Sequence, residues 1–413
     1  MKIALIGNMN NNNFAIMRYF RDLGADAHLL LWSNDGRGDM DHFSPQDDTW
    51  EMGRWKPYIH QTSVANNVTT LLGDLRQLKL PTSAGKIRRE FSGYDAYICS
   101  GYAPAILAKA GIRTDLFYPY AIGVEGAGDR GTRAYFKTRS RWRRAIVGIA
   151  RNWQIAGIQN ARHCLNAEMG LTRQTFHEIG KDFSPLAIPM VYNREVPPAA
   201  DLPPSLGEMK RHLAGYELRI LSHARHLWVR GPANSAEAVK MHLKYNDWLI
   251  RGFARFLANN SSVRALLLLL EYGEDVQASK HLIAELGIGA NVMWLPKMSR
   301  KEILCLLGFC DIGVGQFGNE RGLLWGGTGW EVLASGRPLL QTLNFTNDEY
   351  RKFFGHDLPP ILDVKCPDDI TRYLEDFTRD RVKYIAIGKR SKEWFETNNG
   401  IGLAKKWLDL LNE

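Results

Sequence analysis

Cysteine is scarce in this chain of 413 residues, occurring at Cys99, Cys164, Cys305, Cys310 and Cys366. The five are odd in number and scattered, and the spacing of Cys305 and Cys310 fits no zinc motif. A disulfide framework and a cysteine zinc site are thereby excluded, and buried free thiols in a reducing compartment are expected. Long apolar runs are missing too. The longest, Ala265 to Leu270, lies between Arg264 and Glu271, is far too short to span a bilayer, and reads as a buried strand. The opening MKIALIGN lacks the h-region and cleavage site of a signal peptide, so it reads as a first β-strand and the chain is expected to stay in the cytoplasm. No short-period repeat is present, and the asparagine run from Asn8 to Asn13 is the nearest approach to low complexity. No RNP or KH signature is found, so nucleic acid is not an expected partner.

What is there is a large apolar stock, 45% hydrophobic residues with 12 tryptophans, enough to bury the cores of two or more domains. A net charge of +9 points to an anionic partner. From Lys2 the chain reads strand (Ile3 to Ile6), polar turn (Gly7 to Asn13), helix (Phe14 to Leu23) and strand (Ala27 to Trp32), the opening of an α/β parallel sheet whose first turn stands where such sheets bind ligands. Further strands are predicted at Ala96 to Cys99 and Tyr118 to Ile122. Prolines 197, 198, 203 and 204 mark a linker. The alternation then restarts with strands Leu218 to Ser222, Ala265 to Leu270, Asn291 to Leu295, Ile312 to Gln316 and Pro338 to Thr342, separated by helices Asp247 to Asn259, Val276 to Leu286 and Arg300 to Gly308. Two Rossmann-like domains facing a central cleft are expected: an N-terminal one over 1–195, a linker over 196–216, a C-terminal one over 217–390, and a terminal helix over 391–413 that packs back on the first.

The chemistry gathers in the second half. In WGGTGWEVLASGRPLL, Trp325 to Leu340, glycines lead into a helix carrying Glu331. Backbone N–H groups of Gly326, Gly327, Thr328 and Gly329 can close on an anion, and Glu331 can bind a sugar hydroxyl, a combination that suits a nucleoside diphosphate sugar. Taken alone, such a loop is more often a tight turn before an ordinary helix. Upstream, Arg225 follows the strand at Leu218 and Lys244 precedes the next helix, two cations able to neutralise a departing diphosphate or simply solvated charges. His223 and His226 are candidates for a phosphate or hydroxyl contact; as a metal pair they lack a carboxylate or cysteine companion. The insert WVRGPANSAEAVKMHL before Lys244 reads as surface decoration ahead of a flap.

In the first half, Gly7 and Asn8 stand nearest the strand end, as donor contacts or as parts of a capped turn. In YPYAIGVEGAGDR, after the strand predicted at Tyr118, Glu125 and Asp129 read by themselves as solvated loop acids. Arg130 to Arg151 holds eight basic residues and no acid. There Trp142, Ile146, Ile149 and Trp153 follow a helical stripe among Arg139, Arg141, Arg143 and Arg144, which fits an anionic membrane surface and, as well, a structural helix with a solvated basic face.

Arg225, KYNDWLIRGF from Lys244, EYGED from Glu271, NVMWLP from Asn291, CDIGVG from Cys310 and EVLASGRP from Glu331 together resemble the retaining nucleotide-sugar glycosyltransferases of the GT-B fold, often called glycosyltransferase group 1. The resemblance covers the second half and extends loosely to the first. It implies a metal-independent enzyme without cofactor that moves a sugar from a nucleoside diphosphate sugar to a hydroxyl acceptor, a cell-surface polysaccharide or lipid-linked glycan at the inner membrane face. It implies that Arg225 and Lys244 bind the diphosphate and Glu331 the ribose, and that Glu125, with Asp129 in reserve, stands where many members carry a histidine near the reacting sugar, to take the acceptor proton or steady charge at the anomeric carbon. The family's first glutamate belongs eight residues before Glu331, where this chain has Leu323; the nearest acid is Glu320. A GT-B-shaped nucleotide-sugar epimerase and a non-catalytic sugar-nucleotide or membrane-binding module are the alternative readings.

Overall fold

The computed structural model describes the chain except residues 36–40, 42, 74–77, 79, 120–140, 168–170, 196–201, 230–242 and 319–325. Of residues 68, 141–147 and 171 it describes the backbone only. It divides into two compact units. Unit 1 comprises Met1–Gln46, Glu51–Tyr192 and Asn399–Glu413, and unit 2 comprises Asp47–Trp50 and Asn193–Asn398.

Unit 1 is built on strands β1 (Lys2–Ile6), β2 (Asp26–Leu31), β3 (Ile59–Gln61), β4 (Ala96–Cys99), β5 (Leu116–Phe117) and β6 (His163–Cys164). They form a parallel sheet in the order β3-β2-β1-β4-β5-β6. This is the doubly wound order, with the reversal between β1 and β4. The fifth strand lies at Leu116–Phe117, ahead of the predicted start at Tyr118, and residues 120–122 of the predicted strand lie outside the described residues. Pro119 has no N–H for the ladder, so pairing stops short of it. Strands β3 and β6 escape sequence reading because two or three residues carry no detectable alternation.

Unit 2 repeats the plan with β7 (Leu218–Ser222), β8 (Ala265–Leu270), β9 (Val292–Leu295), β10 (Ile312–Val314), β11 (Leu339–Gln341) and β12 (Leu362–Asp363). Their order, β12-β11-β10-β7-β8-β9, is that of unit 1 read from the opposite edge, again parallel. The reversal falls between β7 and β10, where an open α/β sheet leaves its ligand crevice. Strand β8 is ALLLLL, buried along its whole length as an inner strand covered on both faces must be.

The prolines near residue 200 do not keep the chain extended throughout. Pro204 begins a helix, Pro204–Leu213, where a missing N–H is harmless in the first turn. At the C-terminus, helix Arg381–Asn398 belongs to unit 2, and helix Ile401–Asn412 to unit 1. Leu403, Ala404, Trp407 and Leu411 of the latter sit in the unit 1 core. The cysteines are free; all but Cys366 are buried.

Candidate functional site at the β7–β10 switch point of unit 2

Strand β7 ends at Ser222, and the chain turns sharply through His223 and Arg225. His223 is 5% exposed, and its Nε2 lies 2.6 Å from Oε2 of Glu331 in helix Gly327–Ser335. The other carboxylate oxygen accepts from Arg300 Nε at 2.8 Å. Burial alone would raise the Glu331 pKa, but the His223 hydrogen bond and the Arg300 charge outweigh it and hold the carboxyl below its ordinary value. Arg300 opens helix Arg300–Leu307, and its Nη1 stands 3.7 Å from Oδ1 of Asp48, whose side chain is fully buried. The short Asp47–Trp50 segment is anchored in unit 2 by Glu195, which accepts from Thr49 Oγ1 and from the Trp50 amide.

Arg225 is exposed, whereas Lys244 is half-buried and donates from Nζ to Gln316 Oε1 at 2.6 Å. Burial, with the nearby Arg225 charge, brings the Lys244 pKa down to about 8. The insert between these cations lies mostly outside the described residues, but its base is closed: the Lys244 amide donates to Leu227 O at 2.6 Å and the Leu227 amide to Asn246 Oδ1 at 3.0 Å. A long excursion can thus leave and return without moving Lys244.

Gln316, just past β10, runs against Gly326, where a Cβ would overlap its side-chain amide. Only glycine lets that amide lie there. Beyond Gly326 the helix Gly327–Ser335 begins, and the Thr328 Oγ1 is buried with no partner among the described residues. Free N–H groups in the first turn of a helix and an uncommitted hydroxyl suit an anion. Glu320, Leu323 and Trp325 lie outside the described residues.

Sequence reasoning missed Gln316, Arg300 and Asp48. In the sequence Gln316 reads only as the last residue of the strand from Ile312. Arg300 carried a usable signal, since a cation in the first turn of a helix opposes the macrodipole and calls for another reason to be there. Asp48 carried none. His226, grouped with His223 in the sequence, is held apart from it by a bond between its Nδ1 and Ser279 Oγ at 2.8 Å.

In unit 1 the Gly7–Asn13 turn follows β1. Gly7 has φ +82°, and a Cβ there would meet Trp32 Nε1 at 2.5 Å. Asn8 donates to Asn11 Oδ1 and Phe43 O and accepts from the Phe14 amide, so its hydrogens are spent inside unit 1. Asn10 and Asn11 take left-handed φ values of 52° and 56°, which asparagine tolerates. Glu125, Asp129 and Arg139 lie outside the described residues, as do the side chains of Arg141, Trp142, Arg143 and Arg144. Their segment opens the helix Arg141–Gln159, on which Ile149 and Trp153 are 50% and 38% exposed. Among the described residues no helix is long and apolar enough to cross a membrane.

No family model matches the chain, and no curated protein matches it. Solved structures do. HepE of Anabaena in complex with UDP-glucose is 13% identical, with a TM-score of 0.59 over 100% of this chain and 99% of that one. Sucrose-phosphate synthase of Thermosynechococcus elongatus is 12% identical, with a TM-score of 0.55 over 100% and 98%. A protein assigned as UDP-N-acetylglucosamine 2-epimerase from Listeria monocytogenes is 10% identical, with a TM-score of 0.56 over 100% and 95%. Two doubly wound parallel sheets and these likenesses lead to one conclusion: the chain has the GT-B fold.

Proposed function

We propose that this protein is a glycosyltransferase that takes its sugar from a nucleoside diphosphate sugar, UDP-linked in the first instance. The observation that carries the reading is the grouping of Arg225, Lys244 and the open first turn of helix Gly327–Ser335 at the β7–β10 switch point, with Glu331 behind them. Arg225 and Lys244 neutralise the diphosphate as the bond to the sugar breaks, a form of stabilisation that grows with the charge on the leaving group. The amides at Gly327 and Thr328 and the Thr328 hydroxyl contact phosphate or sugar, Gly326 makes room for Gln316, and His223 supports Glu331 at the ribose; the Gly329 amide, a candidate in the sequence, instead donates to Gly326 O at 3.0 Å and is spent within the turn. In this reading no metal is needed, because the two cations supply the charge a metal would. Front-side displacement on the diphosphate face retains the anomeric configuration, with Glu125 handling the acceptor proton and Gly7 and Asn8 framing the unit 1 turn. The acceptor is a polysaccharide or lipid-linked glycan, and the basic helix bearing Ile149 and Trp153 rests on the anionic inner face of the membrane.

The test is release of UDP from UDP-glucose, UDP-galactose and UDP-N-acetylglucosamine, and of GDP from GDP-mannose, with and without lipid-linked acceptors. Binding of no donor at all would sink the proposal. Conversion of UDP-N-acetylglucosamine to its C2 epimer without acceptor would favour an epimerase in its place.

A further inference from the structure

The carboxylate assigned to the ribose is held by more than its own helix. Glu331 and Arg300 are 6% and 8% exposed, and the Asp48 side chain behind Arg300 is fully buried. Such a row of charges is a poor way to pack a core, because desolvation costs several kcal/mol per ion in order-of-magnitude terms and well-packed apolar residues do at least as well. Arg300 also stands where the helix dipole opposes a cation. Both facts point to a task for the carboxylate rather than for the fold.

Its hydrogen bonds define that task. His223 takes one position on Oε2 and Arg300 one on Oε1. An ionised carboxylate offers about four acceptor positions, so each oxygen keeps one lone pair in a direction set by the bond already made. Two acceptors at fixed spacing match two neighbouring hydroxyls, as on a ribose.

We propose that Arg300, backed by Asp48, is a positioning residue for nucleotide recognition. It fixes the rotation of the Glu331 carboxylate so that both free acceptors meet the ribose 2′- and 3′-hydroxyls. This rests on the donor-site reading above, and it can fail while that reading stands. Lysine would keep the charge but not the fixed Nε–H direction that aligns the carboxylate.

The experiment is calorimetric titration of the full chain with UDP and 2′-deoxy-UDP, and with GDP and 2′-deoxy-GDP, for the unmodified protein, Arg300→Lys and the charge-balanced double variant Arg300→Met with Asp48→Asn. The unmodified protein should prefer the ribonucleotide by about tenfold or more, the fold-change expected for a hydrogen bond to a charged group. In both variants that preference should fall to about threefold or less, with 2′-deoxynucleotide affinity nearly unchanged. Equal weakening of both nucleotides in Arg300→Lys, with the preference intact, would mean that Arg300 is only structural and overturns the inference. No ribose preference in the unmodified protein overturns it as well, while leaving a donor site in place. If neither UDP nor GDP binds the unmodified protein, the donor-site reading falls and takes this inference with it.

Discussion

Lys244 combines a role in charge neutralisation with a lowered proton affinity. Its pKa of about 8, set by burial and by Arg225, means that the free protein loses the Nζ charge as pH rises through that value. Accordingly kcat/KM for the donor should fall above pH 8, which a pH–rate profile of UDP release will show. The stability effect has the opposite sign. Between about 8 and the ordinary lysine value the unfolded chain binds the proton that the folded chain has shed, so stability rises with pH there. Substitution of Lys244 or Arg225 by alanine should reduce transfer by about 100-fold or more with little change in melting temperature, the scale set by loss of a single preorganised charge contact. Asp35 behaves in the reverse sense. Burial raises its pKa to about 7 even though the Trp32 amide donates to its carboxylate at 3.0 Å. The folded chain therefore keeps a proton that the unfolded chain releases, and stability declines as pH rises from the ordinary aspartate value to about 7. Asp35→Asn should raise the urea midpoint more at pH 8 than at pH 5.

Among the elements, turns show best how local chemistry becomes geometry. The asparagine run after β1 was legible as a ligand-facing turn, but its amides mostly build the turn itself. Asn13 donates to Ile6 O and Gly7 O and accepts from Tyr118 Oη at 2.8 Å. A Gly7→Ala variant meets both the positive φ and the Trp32 ring, and should lose about 1–3 kcal/mol of stability in denaturant titrations. Gly326→Ala should act on binding instead. Its methyl would push Gln316 away and deprive Lys244 of its acceptor, so UDP affinity should drop by roughly tenfold, the worth of a hydrogen bond to a charged group, while thermal stability changes little. An unaltered UDP affinity would separate Gly326 from the donor site.

At the scale of the whole molecule, the same doubly wound plan is used twice, and each unit has its own core. The chain does not respect sequence order in making them. Asp47–Trp50 joins unit 2, and the last helix joins unit 1, where Trp407 is fully buried, lies 5.2 Å from the Tyr118 ring and donates to Ala187 O at 3.2 Å. Trp407→Ala should therefore destabilise unit 1 by about 3–5 kcal/mol, visible as a lower first transition in calorimetry.

The strand–helix alternation, the restart after the prolines, and the order Arg225, Lys244, Glu331 were all legible because each rests on local periodicity or motif spacing. The sequence by itself thus determined an α/β fold of the GT-B kind and the main donor-site candidates. Tertiary structure alone decided that His223 and Arg300 meet on Glu331, that Gln316 takes Lys244, and that Asp48 backs Arg300. The His223, Arg300 and Lys244 pairs join residues that follow different strands of the unit 2 sheet, and Asp48 comes from the segment between β2 and β3; such neighbours are set by the fold, which no local pattern encodes.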